Sequence, residues 1–137
     1  MKRNSSLLLI ELVIMLLVFS LAAALCVQVF VWADTRSAQS AVEDMALLQA
    51  QNAAEALKHC NGDFSLAAQT HGGVWAGKWT LLFDEQWTIT EGDPSYRLVA
   101  EPVAADVPML GQAKLTVWDR EGAVLAELSV CWQEVAP

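Results

Sequence analysis

The sequence predicts an α+β fold: a long N-terminal helix covering a small antiparallel β-sheet. Three observations carry this reading. Residues 7–33 are apolar or small apart from Glu11, Ser20 and Gln28. Residues 34–60 continue without Gly or Pro, and their apolar residues recur at helical spacing. Beyond Gly62 the pattern changes to short runs rich in β-branched and aromatic residues, separated by polar turns.

The helix divides into two halves. Leu12–Ala33 holds 22 residues without a charge, long enough to cross a bilayer. A secretory signal is the rival reading, and Leu21–Leu25 offers small residues resembling a cleavage site. Signal apolar regions are usually only about 7–15 residues long, however, and here helix-forming sequence follows directly. In the second half Val42, Ala46, Ala50, Ala53, Leu57 and Cys60 form one apolar stripe, with Glu43, Gln51, Glu55 and Lys58 on the other side. Asn61-Gly62 supplies a left-handed stop, so one helix is expected from about Leu7 to about Cys60.

Strands are expected at Trp79–Phe83, Gln86–Thr90, Tyr96–Ala100, Lys114–Trp118 and Val124–Trp132. Asp84-Glu85 reads as the turn of a first hairpin. Asp119–Gly122 reads as a second, with Gly at a position needing positive φ. Glu101–Gly111, with Pro102 and Pro108, reads as a loop. On the last strand Val124, Ala126, Leu128, Val130 and Trp132 share one face, while Glu127, Ser129 and Gln133 share the other. That alternation marks a sheet covered on one side, most simply by the helical stripe.

Charge narrows the functional class. The segment through Ala33 carries Lys2, Arg3 and Glu11. The remainder carries six Lys or Arg against 15 Asp or Glu, a net −9. Nucleic-acid binding rests on phosphate neutralisation, so no direct nucleic-acid contact is expected. Basic residues ahead of the apolar run predict a cytoplasmic N-terminus, with the acidic domain extracytoplasmic.

Glu11 is the first candidate site. A carboxylate costs roughly 2.5–3.5 kcal/mol at mid-bilayer and less near the interface, so it calls for a partner. Lys2 and Arg3 lie eight or nine residues back, which points to a partner on another chain. Cys26 reads as a packing residue within the membrane. Cys60 and Cys131 fall outside the membrane, where a disulfide is chemically allowed; two separate thiols are the alternative. His59, Cys60 and His71 lack a second ligand pair at metal spacing, so neither metal nor cofactor is expected. Trp32 reads as an interface anchor and Trp87 and Trp132 as core, whereas Trp75 and Trp79, near Gly72, Gly73 and Gly77, read as a contact surface. No nucleophile–base pair or phosphate loop is present, so the sequence does not point to an enzyme.

Leu7-Leu8-Leu9-Ile10-Glu11-Leu12-Val13-Ile14, behind a short basic leader, resembles the start of type IV pilins and type II secretion pseudopilins. The resemblance implies a pilin-like fold and a leader, residues 1–6, cut between Ser6 and Leu7 by a prepilin peptidase. It further implies a methylated N-terminus and a filament built with homologous subunits on a pilus or secretion platform. Ser6 stands where that family usually has Gly, and Leu7 where it usually has Phe. Within this resemblance residues 7–33 are the transmembrane assembly helix and residues 34–137 the extracytoplasmic domain. Cleavage would leave a positive α-amine on Leu7, and the resemblance implies that Glu11 of a neighbouring subunit meets it. The alternative is an uncleaved single-pass protein whose acidic domain binds a partner.

Overall fold

The computed structural model describes residues 2–134. Met1, in the expected leader, and residues 135–137, at the end of the expected extracytoplasmic domain, lie outside the described residues, as do the side chains of Lys2 and Arg3. The fold is α+β, with elements in the order α1 (Lys2–His59), α2 (Phe64–His71), β1 (Val74–Trp75), β2 (Trp79–Phe83), β3 (Tyr96–Val103), β4 (Leu110–Asp119) and β5 (Val124–Gln133). Two compact units divide the chain, residues 1–40 and 41–137. The first contains helix alone.

Helix α1 ends where the sequence expects. Asn61 takes φ 52° and Gly62 φ 79°. The Gly62 N–H donates to Leu57 O at 2.9 Å and the Asn61 N–H to Lys58 O at 3.0 Å. This paired six-to-one and five-to-two bonding is the Schellman arrangement, which satisfies carbonyls the helix leaves open. Asp63 then caps α2, its Oδ1 accepting from the Leu66 N–H at 3.0 Å. The short α2 was not expected. Its signal was Asp63 followed by Phe64 and Ala67, the two residues α2 buries.

In the second unit, the stripe of α1 packs on an antiparallel meander ordered β1-β2-β3-β4-β5. Ala46, Ala50, Ala53, Ala54, Ala56, Leu57 and Cys60 are buried. They meet Trp79, Leu81 and Phe83 of β2, Leu98 and Ala100 of β3, Ala113, Leu115 and Val117 of β4, and Val130 of β5. Five alanines keep the helix side of this layer thin. Leu57 is its one large aliphatic side chain, and full burial of such a group contributes about 1.5–3 kcal/mol. Val42, the first residue of the expected stripe, is only half-buried.

The outer face also gains cover. Val99 and Thr116 are each 8% exposed. Around them lie the Lys114–Glu127 pair at 3.1 Å, the Lys78–Glu101 pair, and Arg97 over the Trp118 ring. Exposed pairs of this kind contribute little each, typically about 0–1 kcal/mol.

Three expectations are corrected. Gln86–Thr90 is not a strand; of the expected hairpin there remains one bridge, Ile89 to Phe83, with the Thr90 N–H donating to Leu82 O and the Asp84 N–H to Thr88 O. Asp84 Oδ1 accepts from the Gln86 and Thr88 N–H groups, both at 2.9 Å, closing a wider turn than the expected Asp84-Glu85. β2 pairs with β3 instead, Phe83 opposite Tyr96. Second, the expected loop Glu101–Gly111 is shorter, because β3 runs to Val103 and β4 begins at Leu110. Third, Trp79 is not a surface residue. It is fully buried, and its Nε1–H donates to Gly72 O at 2.9 Å.

The wider turn at Asp84 has a twin. In both, an aspartate carboxylate accepts two backbone N–H groups: Asp119 Oδ1 takes those of Glu121 and Ala123. The left-handed position is Gly122 in one turn, φ 87°, and Trp87 in the other, φ 61°. Left-handed backbone costs a non-glycine residue roughly 1–2 kcal/mol. Trp87 is held there by its ring, stacked on Tyr96 at 3.9 Å and 3°. Trp87→Ala and Trp87→Gly both lose that stack, but only glycine relieves the backbone. Thermal unfolding should therefore place Trp87→Gly above Trp87→Ala by about 1 kcal/mol; the reverse order would show that the left-handed turn is not strained.

The indole of Trp132 lies against two glycines. A Cβ on Gly111 would stand 2.2 Å from the ring, and one on Gly62 2.1 Å. The ring thereby ties the end of α1 to the start of β4. Gly111→Ala should cost about 1–3 kcal/mol through overpacking alone. Thermal melts of Gly111→Ala beside Gly122→Ala, whose added Cβ meets nothing within 4 Å, separate crowding from backbone cost. A negligible effect at Gly111 would mean that Trp132 is free to move away.

Candidate functional site

The candidate site lies in the first unit. Its α-helix satisfies its own backbone, so an apolar exterior is its principal chemical property. Every residue from Leu7 to Ala33 is exposed. α1 is thus long and apolar enough to cross a membrane, by length and composition.

Polar groups in and beside this run mostly find partners on the same helix. The Ser20 hydroxyl donates to Leu16 O at 2.8 Å, and the Thr35 hydroxyl to Val31 O at 2.9 Å. Such back-bonding removes the cost of a hydroxyl in lipid. The Arg36 guanidinium lies over the Trp32 ring, 5.7 Å from its centroid. An aromatic and a cation at the end of an apolar run suit a membrane–water boundary.

Glu11 differs from these groups. Among the described residues its carboxylate has neither ion pair nor hydrogen bond. Leu7 lies four residues earlier, one helical turn away on the same face. Ser6 and Leu7, the expected processing residues, are exposed and helical. The Ser6–Leu7 bond would therefore need local unwinding to enter a peptidase cleft.

The other candidates separate. Cys60 is buried on the core side, Cys131 is exposed on the outer face of β5, and both are free thiols. Among the described residues no group of three His, Cys, Asp or Glu stands close enough to hold a metal ion. Trp75 is 39% exposed and stacks on Phe64 at 4.9 Å, so of the two tryptophans expected at a contact surface only Trp75 is exposed. Sequence reasoning also missed the open edge of β5, since strand order is not written in the local pattern.

In comparisons with protein-family models, curated proteins and solved structures, nothing matches this chain.

Removing the carboxylate should ease insertion. Glu11→Ala eliminates a cost of up to roughly 2.5–3.5 kcal/mol in lipid, so the lone chain should enter membranes at least as well as the wild type. The fraction resisting carbonate extraction measures this. Weaker insertion would mean that Glu11 already has a favourable partner as it enters.

Proposed function

We propose that this protein is a structural subunit of a type IV pilus-like or type II secretion-like filament. Residues 7–33 anchor it in the membrane, single-pass, with the N-terminus cytoplasmic and the acidic domain extracytoplasmic. A prepilin peptidase removes residues 1–6, and neighbouring subunits assemble through α1. The reading assigns no catalytic role and no cofactor.

One observation carries it: a carboxylate near the start of an exposed apolar helix, without a partner among the described residues. In lipid that arrangement is unfavourable for an isolated chain. A cation from another subunit would offset the cost and fix the axial offset between helices. The α-amine released at Leu7 is such a cation, and the residues around Glu11 resemble those of pilins. The α+β layout, with a helical stripe on an antiparallel meander, is compatible with a subunit that displays a small domain.

The uncleaved anchor is the second reading. It is favoured by Ser6 and Leu7 in place of the usual Gly and Phe, and by the helical backbone at the expected cut. Intact-mass measurement of membrane-extracted protein, co-expressed with a prepilin peptidase, distinguishes the two. Filament processing predicts loss of residues 1–6, with or without a methyl group on Leu7. In the same cells, crosslinked ladders should shorten in Glu11→Ala. A full-length mass together with unchanged ladders would leave the anchored, partner-binding reading.

A further inference from the structure

The two edges of the sheet are unequal. The β1 edge is blunt, with two residues, Val74 and Trp75, between Gly73 and Gly77. The β5 edge is ten residues long, Val124–Gln133, without Pro, Gly, Lys or Arg. Its one ladder irregularity lies near Val124, leaving 126–133 regular. Soluble proteins usually protect a long edge with such residues, with bulges or with a covering element, because an open edge templates strand pairing.

The register shows which groups are open. The Glu134 N–H donates to Met109 O at 2.9 Å, and β5 continues antiparallel to β4 from Gln133 opposite Leu110. Bonded pairs alternate along an antiparallel ladder. Leu128, Val130 and Trp132 therefore turn their backbone groups toward β4. Glu127, Ser129, Cys131 and Gln133 turn theirs outward, and all four side chains are exposed.

A groove follows this edge on the helix side. Ala54, Glu55 and Lys58 of α1 form one wall and Leu128–Cys131 the other, enclosing about 250 Å³. It continues past Lys58 and Cys131 to Trp132 and Glu134. An incoming strand would place alternate side chains in the groove and alternate ones on the outer face.

Charge selects the occupant. Residues 41–134 hold 14 carboxylates and five cations. Lys58, Lys78, Lys114 and Arg120 pair with Glu55, Glu101, Glu127 and Asp93, and Arg97 lies on Trp118. Arg97 is thus the one cation here, among the described residues, without a carboxylate beside it. A second copy would bring the same excess of negative charge.

We infer that the β5 edge, Glu127–Gln133, receives an extended strand from a different protein that carries Lys or Arg beside apolar residues, adding a sixth strand to the sheet. Backbone bonds to residues 127, 129, 131 and 133 supply affinity, and Glu134, at the end of the groove, together with the unit's excess of carboxylates selects positive side chains. This contact lies outside residues 7–33 and does not rest on the filament reading.

The test uses the full chain in detergent micelles and a labelled peptide, acetyl-Lys-Thr-Val-Thr-Val-Thr-Lys-amide, with the peptide bearing Glu for Lys as control. Anisotropy should show the Lys peptide binding at least about tenfold more tightly than the Glu peptide. Ser129→Pro removes an outward N–H without touching the β4 ladder, so it should weaken binding by about tenfold or more, while Ser129→Ala should not. Hydrogen exchange on the wild type provides a readout independent of how that variant folds. Amides of Glu127, Ser129, Cys131 and Gln133 should exchange quickly in the free chain and slow with the Lys peptide bound. Absent binding, equal binding of both peptides, or unchanged exchange at those amides would overturn the proposal. So would a dimer of the chain crosslinked through Cys131, which would make a second copy the occupant.

Discussion

The second unit depends on the match between an alanine stripe and the large side chains of the sheet that face it. Ala46, Ala50, Ala53, Ala54 and Ala56 offer little side-chain bulk, so the sheet supplies the volume: Trp79, Leu81, Phe83, Leu98, Leu115 and Val117. Small residues on one layer opposite large ones on the other is one way to reach the density of a protein interior. It also makes the layer intolerant of change. A larger side chain in the stripe would push against Trp79 or Leu115, both fully buried. The stripe is interrupted by a large aliphatic side chain only at Leu57, near the Schellman cap, where Trp132 lies against Gly62 and Gly111.

Legibility in the sequence followed the range of the interaction. The end of α1 was readable because Asn61 and Gly62 act within one turn. The inward face of β5 was readable because alternation is local, and Ala126, Leu128, Val130 and Trp132 pack on the core as expected, whereas Val124, expected on the same face, is exposed. Leu125, beside the irregular step, packs there as well. The expected strand Gln86–Thr90 failed for a specific reason. Its residues have β-propensity, but the Asp84 carboxylate binds two N–H groups beyond the turn and fixes Trp87 in a left-handed conformation. A side chain competing for backbone donors overrode propensity. Trp79 was misplaced because nearby glycines read as an open loop. Gly72 in fact offers its carbonyl to the indole. At the candidate site, Glu11 stood out from composition alone, whereas the helical state of Ser6 and Leu7 required coordinates.

The two units solve their polar problems differently. In the apolar helix the hydroxyls of Ser20 and Thr35 bond to the preceding turn, and Glu11 has no partner among the described residues. In the acidic unit every cation is engaged within the unit, and the surplus is carboxylate. The same composition that keeps such a surface soluble also sets the sign of what it can attract.

The order of strands in the sheet has a temporal meaning. Each strand pairs with its neighbour in sequence, and the last two connections are short: residues 104–109 between β3 and β4, and 120–123 between β4 and β5. Short closures lose little chain entropy and favour rapid pairing. The helical stripe, however, precedes all of these strands in the chain. During synthesis it emerges first, with its alanines uncovered, and waits for β2 through β5. Since β5 is last, the strand with the open edge is also the final one to leave the ribosome. Until then β4 is the exposed border of a partly built sheet, so the interval before β5 arrives is when a chaperone or a foreign strand could compete for the place it will take.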